Sequence, residues 1–426
     1  MLNLRPRIII RAFTLRRDAA TALLLARQLE SLGCDVIVAS GRDFVRTMKF
    51  WSPDIAVVNT VGQIDRCAQL APNASIVMLP GEGANAKKHC DAIHLVNSPG
   101  TYERVEKYLL WGKATEDFFR ELLPEADHSK LFVCGNPRLD LAKYIQKPRL
   151  PHGDEAKTIG FIGRFHILNR YNAVPAIFSM QLPEKLDGVM SQVENFFCMI
   201  TLIRRIITET DYQISVRPHP LEAPEGYSFL KEGFFAGRVE VDDSLDVAAW
   251  VARQDVIVAP SSQSFYEAYV LGVPIINVDP LAGNEEQIRR IYPNSSLAQK
   301  VSHTPQNYDD AMELIKGELQ PVAPVPEIEK HLDEFHSWSC HQSATMAAAE
   351  QISAIAQRKG ARSPFRIPAS IMRLWDRLSF YKIRLQEPLH PNFNYHYKYH
   401  KYPMHLDAVL SNIKENRSIL STTPPE

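Results

Sequence analysis

The feature that most constrains this chain is a recurring alternation of short β-branched runs with longer helical patterns. The first series of apolar runs lies at residues 7–13, 35–39, 54–58, 75–79, 92–96 and 131–134, and the second at 158–162, 213–217, 238–241, 255–259 and 274–278. The runs are apolar almost throughout, as expected for strands that are covered on both faces. We therefore predict βαβ units with parallel sheets, which makes the fold class α/β.

Two proline-containing breaks divide this pattern. Residues 146–157 separate the two series of strands, and residues 320–327 follow the second series. Because 426 residues suffice for two domains and a tail, we predict Rossmann-like domains at 1–150 and 155–355, with a helical tail at 356–426. In a facing pair of such domains, ligands bind in the cleft, at the carboxyl ends of the strands.

Composition excludes several classes of protein. The 48 basic and 49 acidic residues nearly cancel, so no overall charge points to nucleic acid. The six cysteines are scattered without a CxxC pair, which argues against a zinc site or a disulfide framework and favours a reducing cytosol. There is neither a signal-peptide pattern nor an apolar run of about twenty residues, so we expect a cytoplasmic protein without a membrane-spanning helix.

The most informative segment is the sequence SVRPHP at residues 215–220, where a predicted strand ends. Proline fixes φ and disfavours helix in the preceding residue, so Pro218 and Pro220 should hold His219 rigidly at the end of the strand. An imidazole in that position can donate a hydrogen bond to a phosphate oxygen, and Arg217 can add positive charge. A histidine that caps an ordinary loop is the alternative.

A second segment, at residues 255–278, combines a strand, the pair Ser261 and Ser262, and a helix that carries Glu267. Serine hydroxyls at a helix N-terminus, beside unpaired backbone N–H groups, form an anion site. By itself such a serine is an ordinary cap. Together with His219 on a preceding strand of the same sheet, it favours a phosphate site, and Glu267 can accept hydrogen bonds from ribose hydroxyls.

In the first domain, residues 75–79 lead into the sequence PGEGAN at residues 80–85. The glycines around Glu82 allow a sharp turn that brings this carboxylate to the edge of the cleft, where it can act as a general base. Gly83 belongs to this turn, and Lys87 follows closely enough to hold an anionic substrate. A plain glycine-rich turn is the alternative interpretation.

Two further junctions resemble binding edges. Gly163 and Arg164 follow the first strand of the second domain, where backbone amides and the guanidinium can meet a phosphate or the acceptor. The sequence GNPRLD at residues 135–140 contains Asn-Pro, a strong turn signal, so we predict a structural turn there.

These motifs resemble those of bacterial glycosyltransferases of the GT-B fold that use CMP-sugars, namely sialyltransferases and β-Kdo transferases. On that resemblance, His219 matches the HP motif, Ser261 and Ser262 match the serine pair that holds CMP, and Glu82 with Gly83 matches the acidic-Gly motif that supplies the base. The family has two acids before the glycine, whereas Gly81 takes the first place here. GNPRLD, with residues 110–112 (LWG), looks more narrowly like surface carbohydrate biosynthesis proteins.

The resemblance implies a metal-independent glycosyltransferase that builds a surface polysaccharide or glycolipid with inversion, using no cofactor and a CMP-sugar as co-substrate. Residues 1–150 would then bind the acceptor, a glycan or lipid-linked glycan, and residues 155–355 the nucleotide-sugar donor. Three alternatives stay open: a CDP-glycerol glycerophosphotransferase, which shares a similar histidine and serine layout, a UDP-GlcNAc 2-epimerase, and a non-catalytic scaffold.

The tail offers two interpretations. Ile371, Leu374, Trp375 and Leu378 fall on one helical face with basic residues interspersed, and residues 393–402 are crowded with aromatics and bases. Such a segment can rest on the anionic inner face of the plasma membrane, near a lipid-linked acceptor. We favour the alternative, in which the helix packs back on the domains, and expect no nucleic-acid partner.

Overall fold

The structure, a computed structural model, describes residues 5–85, 87, 90–143, 145, 156–166, 168–169, 183–283, 299–339, 342–359, 371–372, 374–375 and 378. The chain forms two compact units, the first made of Met1–Leu141 with Glu329–Glu426 and the second of Ala142–Ile328. Each contains a parallel sheet with helices, which confirms the predicted α/β class. The predicted stretch at residues 393–402 lies outside the described residues.

The sheet of the first unit has six parallel strands in the order β2-β1-β3-β4-β5-β6. Its strands are β1 (Arg7–Arg11), β2 (Asp35–Ala39), β3 (Ile55–Val58), β4 (Ser75–Met78), β5 (Val105–Leu110) and β6 (Leu131–Val133). The helices along this part of the chain are α1 (Leu15–Ser31), α2 (Gly41–Trp51), α3 (Ile64–Leu70), α4 (Asp91–Val96), α5 (Pro99–Glu103), α6 (Lys113–Leu122) and α7 (Pro137–Lys143).

The sheet of the second unit has five parallel strands in the order β11-β10-β7-β8-β9. They are β7 (Thr158–Ile162), β8 (Gln213–Arg217), β9 (Val239–Val241), β10 (Val256–Ala259) and β11 (Ile275–Asn277). The helices here are α8 (Pro183–Glu209), α9 (Val247–Val251), α10 (Ser264–Leu271) and α11 (Tyr308–Lys316). The core of this unit is apolar, with Phe161 and Val258 of the strands packed against Ile203 of α8.

One predicted strand is wrong. Residues 92–96 form α4 rather than a strand, and β5, which the sequence analysis missed, takes the place beside β4. A short apolar run fits a buried helix as well as a strand, and here Asp91 begins the helix with Ala92 and Leu95 buried on one face. In β5 the half-buried Glu106 and Lys107 interrupt the apolar pattern by which the other strands were found.

After the second unit, the chain returns to the first through α12 (Pro326–His336) and α13 (Ala344–Lys359), and α13 packs on α1. The predicted boundaries placed residues up to 355 in the second domain, whereas Glu329 and the residues after it belong to the first unit. The proline-rich break at 320–327 is therefore a crossing between units.

The GNPRLD turn anchors this returning segment. The Asp140 carboxylate Oδ2 accepts hydrogen bonds from the Thr345 backbone N–H at 2.6 Å, the Thr345 hydroxyl at 2.7 Å and the Ser343 hydroxyl at 2.8 Å. Asn136 Nδ2 donates to Nδ1 of His336 at 2.9 Å. The predicted structural turn is present, and its polar side chains hold α12 and α13 in place.

Gly112 of the LWG sequence packs closely against α12 of the returning segment. A Cβ atom at Gly112 would lie 2.2 Å from the Glu334 carbonyl oxygen, which only glycine permits. The Ser337 hydroxyl donates to the Trp111 carbonyl at 3.1 Å. The two short sequences that resemble surface carbohydrate proteins thus form one docking surface for α12 and the residues after it.

The tail residues that the structure describes contact the first unit. Met372 is fully buried in its core, and the Trp375 ring lies 5.7 Å from the Phe50 ring. Ile371, Leu374 and Leu378 are each more than half exposed. None of the helices described here has the length and apolar character needed to cross a membrane.

Candidate functional site

The strand order of the second unit decides where a ligand can bind. The chain begins in the middle of the sheet with β7, proceeds outward to β8 and β9, and then crosses to β10 and β11 on the other side. The loops after β7 and β10 therefore leave in opposite directions, which opens a crevice at the carboxyl ends of these strands. His219, Arg164 and the serine pair all follow strands at this edge.

His219 is held in a defined tautomer between its two prolines. The Leu221 backbone N–H donates to His219 Nδ1 at 3.2 Å. Because Nδ1 accepts this bond, the neutral ring carries its proton on Nε2, the nitrogen that can donate to a ligand. The His219 ring lies 5.1 Å from the ring of His166, which comes from the loop after β7.

The two serines have different surroundings. The Ser261 hydroxyl is buried and contacts the Asp279 carboxylate, and it accepts a hydrogen bond from Asn277 Nδ2 at 3.1 Å. Ser262 is partly exposed, and its hydroxyl accepts a hydrogen bond from the Ser264 backbone N–H at 3.2 Å, just before α10. Ser262 is therefore the member of the pair that can reach a ligand, and Ser261 positions the loop.

Asp279, which the sequence analysis missed, organises the serine loop from the end of β11. Its Oδ2 accepts the Ser261 backbone N–H at 3.1 Å as well as the Ser261 hydroxyl. Burial raises the pKa of the Asp279 carboxyl, and hydrogen bonds from Ser261 oppose this shift. The sequence signal that could have identified Asp279 is its position just after a buried strand, at the same edge of the sheet as the other site residues.

The loop after β7 joins the loops on both sides. Arg164 Nη1 donates to the carbonyl oxygen of Ser261, and the Gly163 backbone N–H donates to the Arg217 carbonyl at 2.8 Å. His166 from the same loop packs against His219. The predicted residues Gly163, Arg164, His219 and Ser261 are thus brought to one edge.

Gly163 is required at its position by close packing. A Cβ atom there would lie 2.5 Å from the Tyr227 hydroxyl and 2.8 Å from Glu222 Oε2. Glu222 is fully buried and accepts hydrogen bonds from the Phe165 backbone N–H and the Tyr227 hydroxyl. Glu222 was also missed, and its position directly after the RPHP sequence was the available signal.

Arg217 and Glu267, which were both predicted to contact the nucleotide, are buried. The Arg217 guanidinium is buried, pairs with Asp242, and donates from Nη1 to the Ser244 hydroxyl at 2.9 Å and from Nη2 to the Ser244 carbonyl at 2.8 Å. Arg217 therefore fixes the end of β8 rather than offering a free guanidinium. Glu267 is only 2% exposed in the first turn of α10, which leaves little of its surface for a ribose hydroxyl.

In the first unit, Glu82 follows β4 as predicted and its side chain is half exposed. Its Oε1 pairs with Arg17 Nη1 at 2.9 Å, and Arg17 Nε pairs with Asp18 Oδ1 at 2.8 Å. Although burial alone would lower the pKa of the Arg17 guanidinium, the carboxylates of Asp18 and Glu82 raise it above its ordinary value. A pair with a permanently charged arginine orients the Glu82 carboxylate.

Close packing explains Gly83 beside it. A Cβ atom at Gly83 would lie 2.6 Å from the Trp111 ring, and the Gly83 carbonyl accepts the Thr115 hydroxyl at 3.0 Å. Lys87 pairs with Glu121 of α6. This ion pair occupies Lys87, which was predicted to hold an anionic substrate.

A second carboxylate lies near Glu82. Asp91 begins α4, and burial raises its pKa to about 6, with His94 lowering it and the charge of Glu82 raising it further. A carboxyl group with such a pKa is suited to general-base chemistry near neutral pH. Asp91 was not predicted because residues 92–96 were assigned to a strand.

Within the described part of the chain, no group of three or more His, Cys, Asp or Glu side chains is placed to hold a metal ion.

Both the sequence and the structure were compared with those of known proteins. No protein-family model matches the sequence, and no curated protein matches it. Among solved structures, the chain is similar to the Staphylococcus aureus protein MnaA with UDP (TM-score 0.46, 14% identity, covering 86% of this chain and 100% of that one).

The chain is also similar to the wall teichoic acid polymerase TagF, with a TM-score of 0.49 and 12% identity, covering 84% of this chain and 90% of that one. A third similar structure is the UDP-GlcNAc 2-epimerase of Methanocaldococcus jannaschii with UDP-GlcNAc and UDP, with a TM-score of 0.44 and 14% identity, covering 82% of this chain and 99% of that one.

Proposed function

We propose that this chain is a nucleotide-dependent glycosyltransferase whose second unit binds the phosphate of a CMP-sugar at the carboxyl ends of β7, β8 and β10. The observation that carries the proposal is that one loop, after β7, contacts both the His219 loop and the serine loop. Histidine, arginine and serine at one edge form the set of donors that a phosphate needs.

The proposed leaving-group chemistry follows from the tautomer of His219. With Nδ1 occupied by the Leu221 N–H, Nε2 donates its hydrogen bond to a phosphate oxygen. The Ser262 hydroxyl supplies a further donor, and Arg164 adds fixed positive charge nearby. Such donors stabilise the negative charge that develops on the departing CMP, which is usually the largest contribution to catalysis.

In this proposal, Glu82 of the first unit takes the proton from an acceptor hydroxyl. The acceptor oxygen then forms a bond to the anomeric carbon, the bond from that carbon to the phosphate oxygen breaks, and CMP leaves with the electron pair. A single displacement inverts the anomeric centre. Asp91 is the second candidate for the base, because burial has brought its pKa to about 6.

Calorimetric titration tests the nucleotide site. We expect CMP to bind more tightly than UDP, and His219→Ala and Ser262→Ala to weaken binding about 10- to 100-fold, the cost of about 1.5–3 kcal/mol for a hydrogen bond to a charged group. His303→Ala is the matched control, since its imidazole lies elsewhere in the unit against the Gln320 carbonyl. Equal, unchanged affinities in all variants would refute the site.

Turnover assays distinguish the donors and the base. Nucleotide release from a CMP-sugar supports the proposal, whereas release from CDP-glycerol supports a glycerophosphotransferase and conversion of UDP-GlcNAc supports an epimerase. Glu82→Gln should lower kcat about 10²- to 10⁴-fold with unchanged CMP affinity, while Glu121→Gln, an exposed control, should not. If Glu82→Gln turns over normally and Asp91→Asn does not, Asp91 is the base.

A further inference from the structure

A buried arginine at the end of β1 is short of partners. Arg11 is 9% exposed, and its guanidinium lies between the rings of Phe13 and Phe44, with Cζ 5.1 and 5.8 Å from their centroids. Among the residues that the structure describes, its only hydrogen bond is a long one, from Nη1 to the Thr60 hydroxyl at 3.5 Å. A guanidinium has five N–H donors, so most of its capacity is unused.

Two other buried arginines that the structure describes make shorter hydrogen bonds than Arg11 does. Arg217 makes an ion pair and two further hydrogen bonds, as described above. Arg7 donates to the Trp51 carbonyl at 2.6 Å. Arg11 makes no ion pair among the described residues, and a buried charge without a counterion is costly unless a ligand completes it.

The nearby carboxylate cannot complete it. Asp18 attracts the Arg11 guanidinium, but its own oxygens are already used: Oδ1 by Arg17, and Oδ2 by the backbone N–H groups of Phe13 and Thr14 and by Asn59 Nδ2 at 2.9 Å. The pKa of the Arg11 guanidinium is lowered to about 10, mainly by burial; Cys67 and Asp18 oppose this shift, and the positive charges of Arg66 and Arg17 add to it.

The location is one where α/β units bind ligands. The strand order β2-β1-β3 reverses at β1, so the loops after β1 and β3 diverge at the carboxyl edge of the sheet. A cavity opens there, and its lining includes Arg11, Arg17, Asn59 and Gly81. Arg11 ends β1, and Thr60 follows β3.

From these observations we infer that Arg11 binds an anionic group, a carboxylate or a phosphate, in this cavity of the first unit. A guanidinium that packs against two aromatic rings keeps its N–H groups for such an anion, and carboxylates and phosphates accept them in bidentate fashion. If the chain is the proposed transferase, the anion belongs to the acceptor, which makes the acceptor an acidic or phosphorylated sugar. That assignment rests on the proposed function, whereas anion binding does not.

Thermal-shift and calorimetric titrations with glucuronate, inorganic phosphate and glucose at constant ionic strength test this site. We expect glucuronate or phosphate to raise the melting temperature of the wild type and glucose to have no effect. Arg11→Met should weaken anion binding at least tenfold and, since it removes an uncompensated buried charge, leave the anion-free melting temperature unchanged or higher. Arg120→Met is the control, because it removes an exposed positive charge that pairs with Glu116.

The outcomes separate the two proposals. An anion response in the wild type that Arg11→Met abolishes, with nucleotide affinity unchanged, supports the anion site whether or not the chain transfers sugars. A wild type without anion response, an Arg11→Met variant that binds anions normally, or one that unfolds at lower temperature or fails to fold, would each overturn it and make Arg11 structural. Arg11→Lys keeps the positive charge but cannot donate two parallel hydrogen bonds, so it should bind the anion with an affinity between those of the wild type and Arg11→Met.

Discussion

The rings of His166 and His219 lie 5.1 Å apart and tilted by 33°, which joins the loop after β7 to the loop after β8. Two residues before His166, Arg164 bonds to the Ser261 carbonyl in the loop after β10. The three residues Arg164 to His166, in the loop after the central strand β7, thus connect both motifs that the sequence analysis assigned to one anion site. The conformation of this segment should therefore control ligand binding.

Adding a methyl group at Gly163 tests that control. The Cβ atom of Gly163→Ala would lie 2.5 Å from the Tyr227 hydroxyl, so the loop must shift, and overpacking of this kind costs about 1–3 kcal/mol. We expect lower stability in urea titrations and at least tenfold weaker CMP binding. Gly62→Ala, whose Cβ atom meets nothing within 4 Å, should leave both unchanged. A fully active Gly163→Ala variant would show that the loop does not set the site.

The two serines should separate stability from binding. Ser261→Ala removes a buried hydroxyl that contacts Asp279 and Asn277, so we expect a loss of about 1–3 kcal/mol in the free energy of unfolding. Ser262→Ala should weaken CMP binding while costing about 1 kcal/mol, as for the loss of one hydrogen bond. Urea titration and calorimetry on both variants measure the two effects. Identical profiles for the two variants would contradict this division.

Asp140 should be essential for docking the returning helices. Asp140→Ala leaves the Thr345 N–H, the Thr345 hydroxyl and the Ser343 hydroxyl without their shared acceptor, so we expect a loss of about 3 kcal/mol. Hydrogen exchange should accelerate across α12 and α13 more than in the strands of the second unit. Uniform exchange, with stability unchanged, would mean that these helices are held by other contacts.

Two buried histidines should make the protein acid-sensitive. Burial lowers the pKa of His331 to about 4 and that of His336 to about 3, below an ordinary value near 6.5. The unfolded chain therefore binds protons first, and stability falls as the pH drops from about 6.5 towards these values. Between pH 7 and pH 5, each histidine should cost about 2 kcal/mol.

Urea titrations at the two pH values measure this loss. His331→Leu should reduce it by about 2 kcal/mol, whereas His94→Gln, at an exposed position in α4, should not. A His331→Leu variant that loses as much stability as the wild type between the two pH values would contradict the burial of a neutral His331.

Much of the fold was predictable because parallel strands covered on both faces leave a strong apolar signal. The predicted strands at 35–39, 158–162 and 213–217 coincide with β2, β7 and β8. The failures concern segments whose local pattern is ambiguous: β5 carries two charged residues, and α4 is too short for its periodicity to be decisive.

The site was predictable only in part, because motifs give the residues near an edge and not their partners. We predicted that Arg217 contacts the nucleotide because the sequence does not show that Asp242 and Ser244 already bind its guanidinium. The contact between His166 and His219 joins two loops that are distant in sequence, and no local pattern indicates it. The sequence also gives no sign that Arg11 has few partners, because its neighbours are known only when β1 and β3 have been paired in the sheet.

Histidine imidazole NMR during a CMP titration tests the central claim most directly, with signals assigned through His219→Gln and His166→Gln. We predict that the Nε2 and Nδ1 resonances of His219 shift saturably with the affinity found by calorimetry, that those of His166 follow, and that the signal of the exposed His94 stays in place. If CMP binds while the His219 and His166 resonances do not move, the nucleotide lies elsewhere and the proposed phosphate site is wrong.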